Sequence, residues 1–254
     1  MEADAGENVV KELRSLSAGK GRRWLTAAAL MGLGFAGTCG WIAWLGREFN
    51  PPSRCHGTVA DGSLEYGRRL PYSGENFRAY SLLGYLGGRT FMHGTVRNVI
   101  LAGYADLARQ RPELRYLYAE SGWPWGGRIR PHRSHANGTA VDFHVPLRAQ
   151  DGAVTELPVS VFNQLGYGVS FDNSGRSGHL QIDFEAMALH LAALDQAARR
   201  QGISIRRVIF DGHLVPRLLA TAAGARLAGR ISFTGEAWIR HDQHYHVDFN
   251  VPCR

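Results

Sequence analysis

Residues 24 to 45, "WLTAAALMGLGFAGTCGWIAWL", carry no charge over twenty-two positions. No other feature constrains the organisation of the chain so strongly, because such a run is out of place in water. As a helix rising ~1.5 Å per residue it measures about 33 Å, enough to cross the hydrocarbon core of a bilayer. Trp24, Trp41 and Trp44 lie near its ends, where aromatic side chains settle at a membrane interface. Lys11, Arg14 and "KGRR" (20 to 23) put the cation excess on the N-terminal side, which is therefore expected to stay in the cytoplasm. The expected plan is a cytoplasmic tail (1–23), a transmembrane anchor (24–46), a linker rich in Gly, Pro and Ser (47–75), and a domain (76–254) across the membrane. A cleaved signal peptide is the alternative, with small residues offered by "FAG" and "GTCG". Thr38 directly before Cys39 makes a poor lipidation box, and "RRWLT" resembles a twin-arginine signal only faintly. On either reading the folded part is exported.

Two cysteines, Cys55 and Cys253, fall in that exported part, one near each end. An oxidising compartment suits a single disulfide between them, and two free thiols are the alternative. The formal net charge is +7, almost all of it arginine, since Lys occurs only at 11 and 20. Such an excess serves solubility or attraction to an anionic polymer. The charges are scattered, without a dense basic stripe or an aromatic-interleaved motif, so nucleic acid is not an expected partner.

Beyond the linker the pattern alternates. "GTVRNVILAGYADLARQRP" (94 to 112) has helical apolar spacing and stops before Pro112. "LRYLYAE" (114 to 120) reads as a strand and "SGWPWGGRIRPHRSHANGT" (121 to 139) as a long loop. "AVDFHVPL" (140 to 147) alternates as a strand, a helix runs from about Asp183 to Gly202, and "IRRVIFD" (205 to 211) is a further strand. "LVPRLLATAAGARLAG" reads as helical and "HYHVDFNV" as the last strand. The connections do not repeat as βα units, so the expected fold is α+β, a central, mostly antiparallel sheet with flanking helices.

The chemistry concentrates in two places. Of eleven histidines, His241, His244 and His246 fall within six residues in "IRHDQHYHVDF". Residues two apart on a strand share a face, so His244, His246 and Asp248 point one way and Tyr245, Val247 and Phe249 the other. "PHRSHANGTAVDFH" supplies His132, His135, Asp142 and His144, with Asp142 and His144 again on one face. If the two strands are neighbours, Asp142 and His246 converge, and His135 can fold over from the loop. Two imidazoles and one carboxylate suit zinc, with a position left open for water.

A histidine, six residues, an aspartate and a distant His-x-His together resemble the zinc peptidases that cut bacterial cell-wall peptides. The two motifs, "GGRIRPHRSHANGTAVDF" and "HDQHYHV", are most similar to those of the penicillin-insensitive murein endopeptidases, over roughly residues 78 to 252. By that resemblance the zinc ligands are His135, Asp142 and His246. His244 is the general base, and His241 and His132 orient water or stabilise the oxyanion. Carboxypeptidase relatives place a glutamate base where this chain has Gln243, so the base here must be a histidine. The resemblance implies a Zn2+ hydrolase of the bacterial periplasm; the apparent anchor departs from those soluble periplasmic enzymes and would hold this chain in the inner membrane. It would act on peptidoglycan stem peptides without a serine acyl-enzyme, and so be insensitive to β-lactams. Trimming of stem peptides by carboxypeptidase or dipeptidase action is the nearest alternative, and a non-catalytic zinc-containing wall-binding module is a second. His144, His179 and Asp172 stand outside the motifs; Arg128 could meet a substrate carboxylate, and "WPW" (123 to 125) could wall a cleft.

Overall fold

In the computed structural model the chain divides into two units, Met1–Arg47 and Glu48–Arg254. The structure describes residues 37–44, 46, 51–234 and 240–254. In the first unit, residues 37–44 are helical, and all but the half-buried Trp44 are exposed. Among the described residues no helix is long and apolar enough to cross a membrane. Most of the expected 24–46 anchor, like the tail before it, lies outside the described residues.

The second unit is a mixed α+β structure built on a six-stranded sheet. Its strands in chain order are β1 (Phe77–Ala79), β2 (Tyr116–Tyr118), β3 (Ala140–His144), β4 (Ile205–Ile209), β5 (Phe233–Thr234) and β6 (His244–Phe249). They lie in the spatial order β5-β4-β6-β3-β2-β1. The two outermost pairings are parallel and the three inner ones antiparallel. The centre of the sheet is therefore the β6–β3 pair, the two strands that carry the histidine motifs.

Helices α1 (Leu82–Leu86), α2 (Gly94–Gln110), α3 (Phe184–Arg200) and α4 (Val215–Leu219) accompany the sheet. In α2, Val96, Val99, Ile100, Gly103, Tyr104 and Leu107 are buried, three or four residues apart, which is one face of a helix. His93 caps its start by accepting from Thr95 N, and Arg111, preceding Pro112, leaves helical geometry. In α3 the Asp183 carboxylate accepts from Ala186 N at the start, and Arg199 and Arg200 complement the dipole at the end. The helices meet where Gly103 faces Ala193 and Leu194, and a Cβ at Gly103 would lie 3.3 Å from Leu194 Cδ2. The expected 214–229 helix is only partly one: α4 is short, and a 3-10 turn follows at Gly224–Arg226. Gly224 has no room for a side chain there, because a Cβ would fall 1.8 Å from the Leu218 carbonyl oxygen.

The expected linker is corrected by the structure. Residues Arg54–Gly57 and Gly62–Glu65 form an antiparallel hairpin inside the domain, with Cys55 and Leu64 buried. Its glycines serve close approach rather than flexibility: a Cβ at Gly62 would sit 2.4 Å from the His56 carbonyl oxygen. Cys55 is disulfide-bonded to Cys253. Arg254 pairs its backbone with Cys55 and Gly57, so the C-terminus lies along the hairpin.

The core side of β6 is fixed by one buried polar contact. His190 of α3, fully buried, lies 2.5 Å from the Tyr245 hydroxyl and stacks on Tyr104 and Tyr116. Burial pulls its imidazole down to about 3, so it is neutral in the fold. An unfolded histidine titrates near 6.5, so the unfolded chain takes up this proton first as pH falls. The stability contributed by neutral His190 is complete above pH ~6.5 and is lost progressively below it. By pH 4.5 the loss from this residue is about 3 kcal/mol. A His190→Phe variant should show a flatter decline in urea midpoint over that range, at the cost of an unpartnered Tyr245 hydroxyl. An unchanged decline would assign acid sensitivity to other groups.

Candidate metal centre

The register of the central pair sets the site. His246 stands opposite Asp142, and His244 opposite His144. Alternation then sends Tyr245, Val247, Val141 and Phe143 into the core, and the polar side chains to the other face. That second face is also covered. Asp142 and His135 are fully buried, and His244, His246 and Asp248 are nearly so.

The 121–139 loop forms part of the cover. Its backbone is pinned to the N-terminal hairpin, with Ala136 N donating to Val59 O at 2.8 Å and Gly127 N to Gly62 O at 3.2 Å, and is closed on itself by Gly127 N donating to Ala136 O at 2.7 Å. Gly126 has φ +74, and a Cβ there would be 2.3 Å from the Ala136 carbonyl oxygen, so the turn admits only glycine. His135 adopts φ 74 without being glycine, a costly conformation for a side chain with Cβ. That backbone puts its ring against Asp142.

Four imidazoles surround the Asp142 carboxylate. Its Oδ1 lies 2.8 Å from His246 Nδ1 and 3.4 Å from His135 Nε2. Its Oδ2 lies 3.5 Å from His132 Nδ1 and 3.9 Å from His244 Nε2. Burial raises the Asp142 carboxyl, but the histidines, His135 first, outweigh it and hold the group well below the usual carboxylate range. The His135 ring is oriented from behind. Its Nδ1–H donates to the Ala140 carbonyl at 3.2 Å, and burial holds its imidazole neutral. Its Nε2 lone pair therefore faces a carboxylate with no donor between them. Both His135 Nε2 and Asp142 Oδ2 are buried without a hydrogen-bond partner, and such orphaned groups require an explanation. A cation supplies one. His132, His135 and Asp142 each offer a ligand atom, all within 4.8 Å of one another, so this group could hold a metal ion.

The remaining nitrogens are tied outward. His246 Nε2 meets Asp248 Oδ1 at 2.8 Å, and Asp248 in turn accepts from Arg207 Nε at 2.5 Å. Burial would lower the His246 imidazole, but Asp142 and Asp248 together hold it at about 9. His132 Nε2 lies 2.5 Å from Glu120 Oε2. Glu120 also accepts from Arg89 Nη2 at 2.8 Å and from the Tyr80 hydroxyl at 2.9 Å. Burial would raise Glu120, but His132 and Arg89 hold it at about 2. His132 is accordingly raised against the effect of its own burial, by Glu120 and Asp142. His244 is the opposite case: burial pushes it well below its ordinary value, so it stays neutral. Its ring lies 4.4 Å from that of His241 and 4.9 Å from that of Tyr167.

The structure thus brings His132, His135, His244 and His246 directly around Asp142, with His241 against His244. His144 lies beside them, opposite His244, with neither ring nitrogen hydrogen-bonded. Asp172 and His179 are exposed. The Asp172 carboxylate closes a local turn by accepting from the backbone N–H groups of Ser174 and Arg176. Gln243 donates to the Tyr167 carbonyl at 3.1 Å and so ties down the segment that covers His244. Two groups escape a sequence reading, Glu120 with its partner Arg89, and Asp248 as the outer partner of His246. The signal for Glu120 is an acid ending the apolar strand "RYLYAE"; for Asp248 it is a place two residues beyond His246 on the same face. No model of a known protein family matches the chain, and no curated protein matches it significantly.

Proposed function

We propose that the protein is a zinc metallopeptidase that hydrolyses peptide cross-links of bacterial peptidoglycan, at a bond between D-alanine and diaminopimelate. On this reading it works in the periplasm, tethered to the inner membrane by its N-terminal segment. The observation that carries it is that His135 Nε2 and Asp142 Oδ2 are both buried without a hydrogen-bond partner, while the other carboxylate oxygen, Oδ1, faces His135 and His246. Two imidazole nitrogens and a carboxylate oxygen form a donor set that suits zinc. By the resemblance His135, Asp142 and His246 would hold the ion, His246 giving up its proton to do so, whereas the geometry itself brings His132, His135 and Asp142 within reach of one ion. Ala140 O and Asp248 would fix the two rings, as outer partners of ligating histidines do.

Bound there, zinc would polarise the scissile carbonyl and make the adjacent water acidic. The protein's own residues divide the rest. His244, kept neutral by burial, presents Nε2 towards Asp142 Oδ2 and can take a proton at that atom and return it to the leaving amine. His132, bracketed by Glu120 and Asp142, is held as a charged donor and can stabilise negative charge developing on the carbonyl oxygen. His241 backs the His244 ring.

The test is a digest of cross-linked muropeptides, with and without a chelator, read by mass spectrometry. Chelator-sensitive conversion of dimers to monomers is expected. Intact dimers with shortened stems would move the assignment to a carboxypeptidase, and no change at all would sink the enzymatic reading. His244→Ala should lower turnover by at least about 10²-fold while the metal content stays at the wild-type level. Equal turnover in that variant would remove His244 from the chemistry.

A further inference from the structure

We propose that residues 159–169 form a hinged flap over the metal-binding group, with Tyr167 as its plug and Gln243 as its latch. The proposal goes beyond the peptidase reading, because it concerns access to Asp142 whatever passes. As the fold stands, that access is closed: Asp142 and His135 are fully buried, and His244 and His246 are nearly so. Tyr167 supplies the cover on the side of His244. Its ring centroid lies 4.9 Å from that of His244, 5.4 Å from that of His144 and 5.9 Å from that of His132. An ion or a peptide that approaches Asp142 from this side must displace the ring.

The segment is built to move as one piece. Val159 and Val169 pack against the core at its two ends. Between them a 3-10 turn, Val161–Gly166, is wound around Asn163. Asn163 Oδ1 accepts from Ser160 N at 2.9 Å and from Gly166 N at 3.0 Å. Leu165 N donates to Ser160 O and Gly168 N to Asn163 O, both at 2.8 Å. These bonds are internal, so lifting the segment breaks none of them. Its crest stands in solvent, with Val161 63% and Phe162 98% exposed. Gln243 Nε2 joins it to the body of the domain, donating to the Tyr167 carbonyl at 3.1 Å. The closed position is lightly held. Gly166, at φ +100, rests directly on His144, and a Cβ there would fall 2.7 Å from His144 Cε1. Beneath the flap His144 Nδ1 and Nε2, His244 Nδ1 and Gln243 Oε1 are all buried without a hydrogen-bond partner. Each recovers hydration on opening, so closure sets one hydrogen bond and the packing of a ring against unsatisfied polar atoms. Such a balance gives a local opening well below the free energy of global unfolding, as lids over buried sites require.

Carbethoxylation of the full-length protein with diethyl pyrocarbonate, followed residue by residue by mass spectrometry, tests this. His144 lies under the flap, and His190 is fully buried on the core side of the same sheet. Neither is a candidate metal ligand, so the readout stands whether or not the protein is a peptidase. In the wild type His144 should react at least about 10-fold faster than His190, which waits for global unfolding. Gln243→Met keeps the bulk of the side chain but removes the donor. It should speed His144 by about 3- to 10-fold, the worth of one hydrogen bond, and leave His190 unchanged. Gly166→Ala, which acts from the flap's own side, should give the same split, because the added Cβ cannot sit over His144 in the closed position. Equal rates for His144 and His190 in the wild type would show that the segment leaves only when the whole domain unfolds, and would overturn the proposal. So would a His144 rate left unmoved by Gln243→Met, or variants in which both histidines speed up together.

Discussion

Asp142→Asn should be the most damaging single change in the protein: bound metal falls to background, and the metal-free domain loses about 3–5 kcal/mol of stability. The expectation follows from what Asp142 faces. It is fully buried and is the one carboxylate shared by His132, His135, His244 and His246. An asparagine has nearly the same shape, so packing is little changed and the effect reports charge. Without that charge, His246 keeps only Asp248 and His132 only Glu120 as counter-ions. An imidazolium in a dry interior with half its compensation removed must give up its proton or destabilise the fold. For the metal the change is simpler, because an amide oxygen replaces the only anionic donor in the cluster. Metal content by atomic emission and the urea midpoint of chelated protein measure the two effects separately. Zinc retained at wild-type stoichiometry in Asp142→Asn would mean the ion sits elsewhere.

Removing the disulfide should have the second largest effect. Cys55 and Cys253 are separated by 198 positions, so the bond closes almost the whole domain into one loop. Chain entropy gives about 5 kcal/mol for a loop of that length. Since a domain of this kind is stable by only about 5–15 kcal/mol, the loss would be a large share of the total. The Cys55→Ser, Cys253→Ser double variant, and the wild type under reductant, should unfold at clearly lower denaturant by similar amounts. The loss should also reach the metal. The hairpin that Cys55 anchors supplies Val59 O, the acceptor for Ala136 N, next to His135. Weaker metal binding in the double variant is therefore expected alongside lower stability. A stability change under about 1 kcal/mol would show that hairpin and C-terminus hold without the bond.

Much of the site is legible in the sequence because strand alternation is a strict rule. "AVDFHV" and "HYHVDF" each declare two faces, and once they are neighbours the polar faces must meet. The structure places Asp142 opposite His246, and the two long helices start and stop close to where capping residues and Pro112 indicate. What the sequence hides is of another kind. Strands of two to four residues are too short for a period, so the hairpin at 54–65 reads as a linker when its glycines are taken for flexibility. The alternation marks His244 and His246 as a polar face without showing that the face is roofed over, since the roof comes from distant segments, the 121–139 loop and the stretch around Tyr167. Glu120 is obscured for the same reason: its partners Arg89 and His132 lie 31 and 12 positions away in the chain, on segments that only the folded sheet brings together.

The pairing of β3 with β6 also sets an order of events during synthesis. Asp142 and His246 are 104 positions apart, and β6 is made after every other strand of the sheet. The sulfur that closes the domain, Cys253, emerges later still. A nascent or truncated chain therefore carries His132, His135 and Asp142 but lacks the strand that completes the cluster. The cluster around Asp142 is therefore incomplete until this last strand of the sheet has been made and has docked.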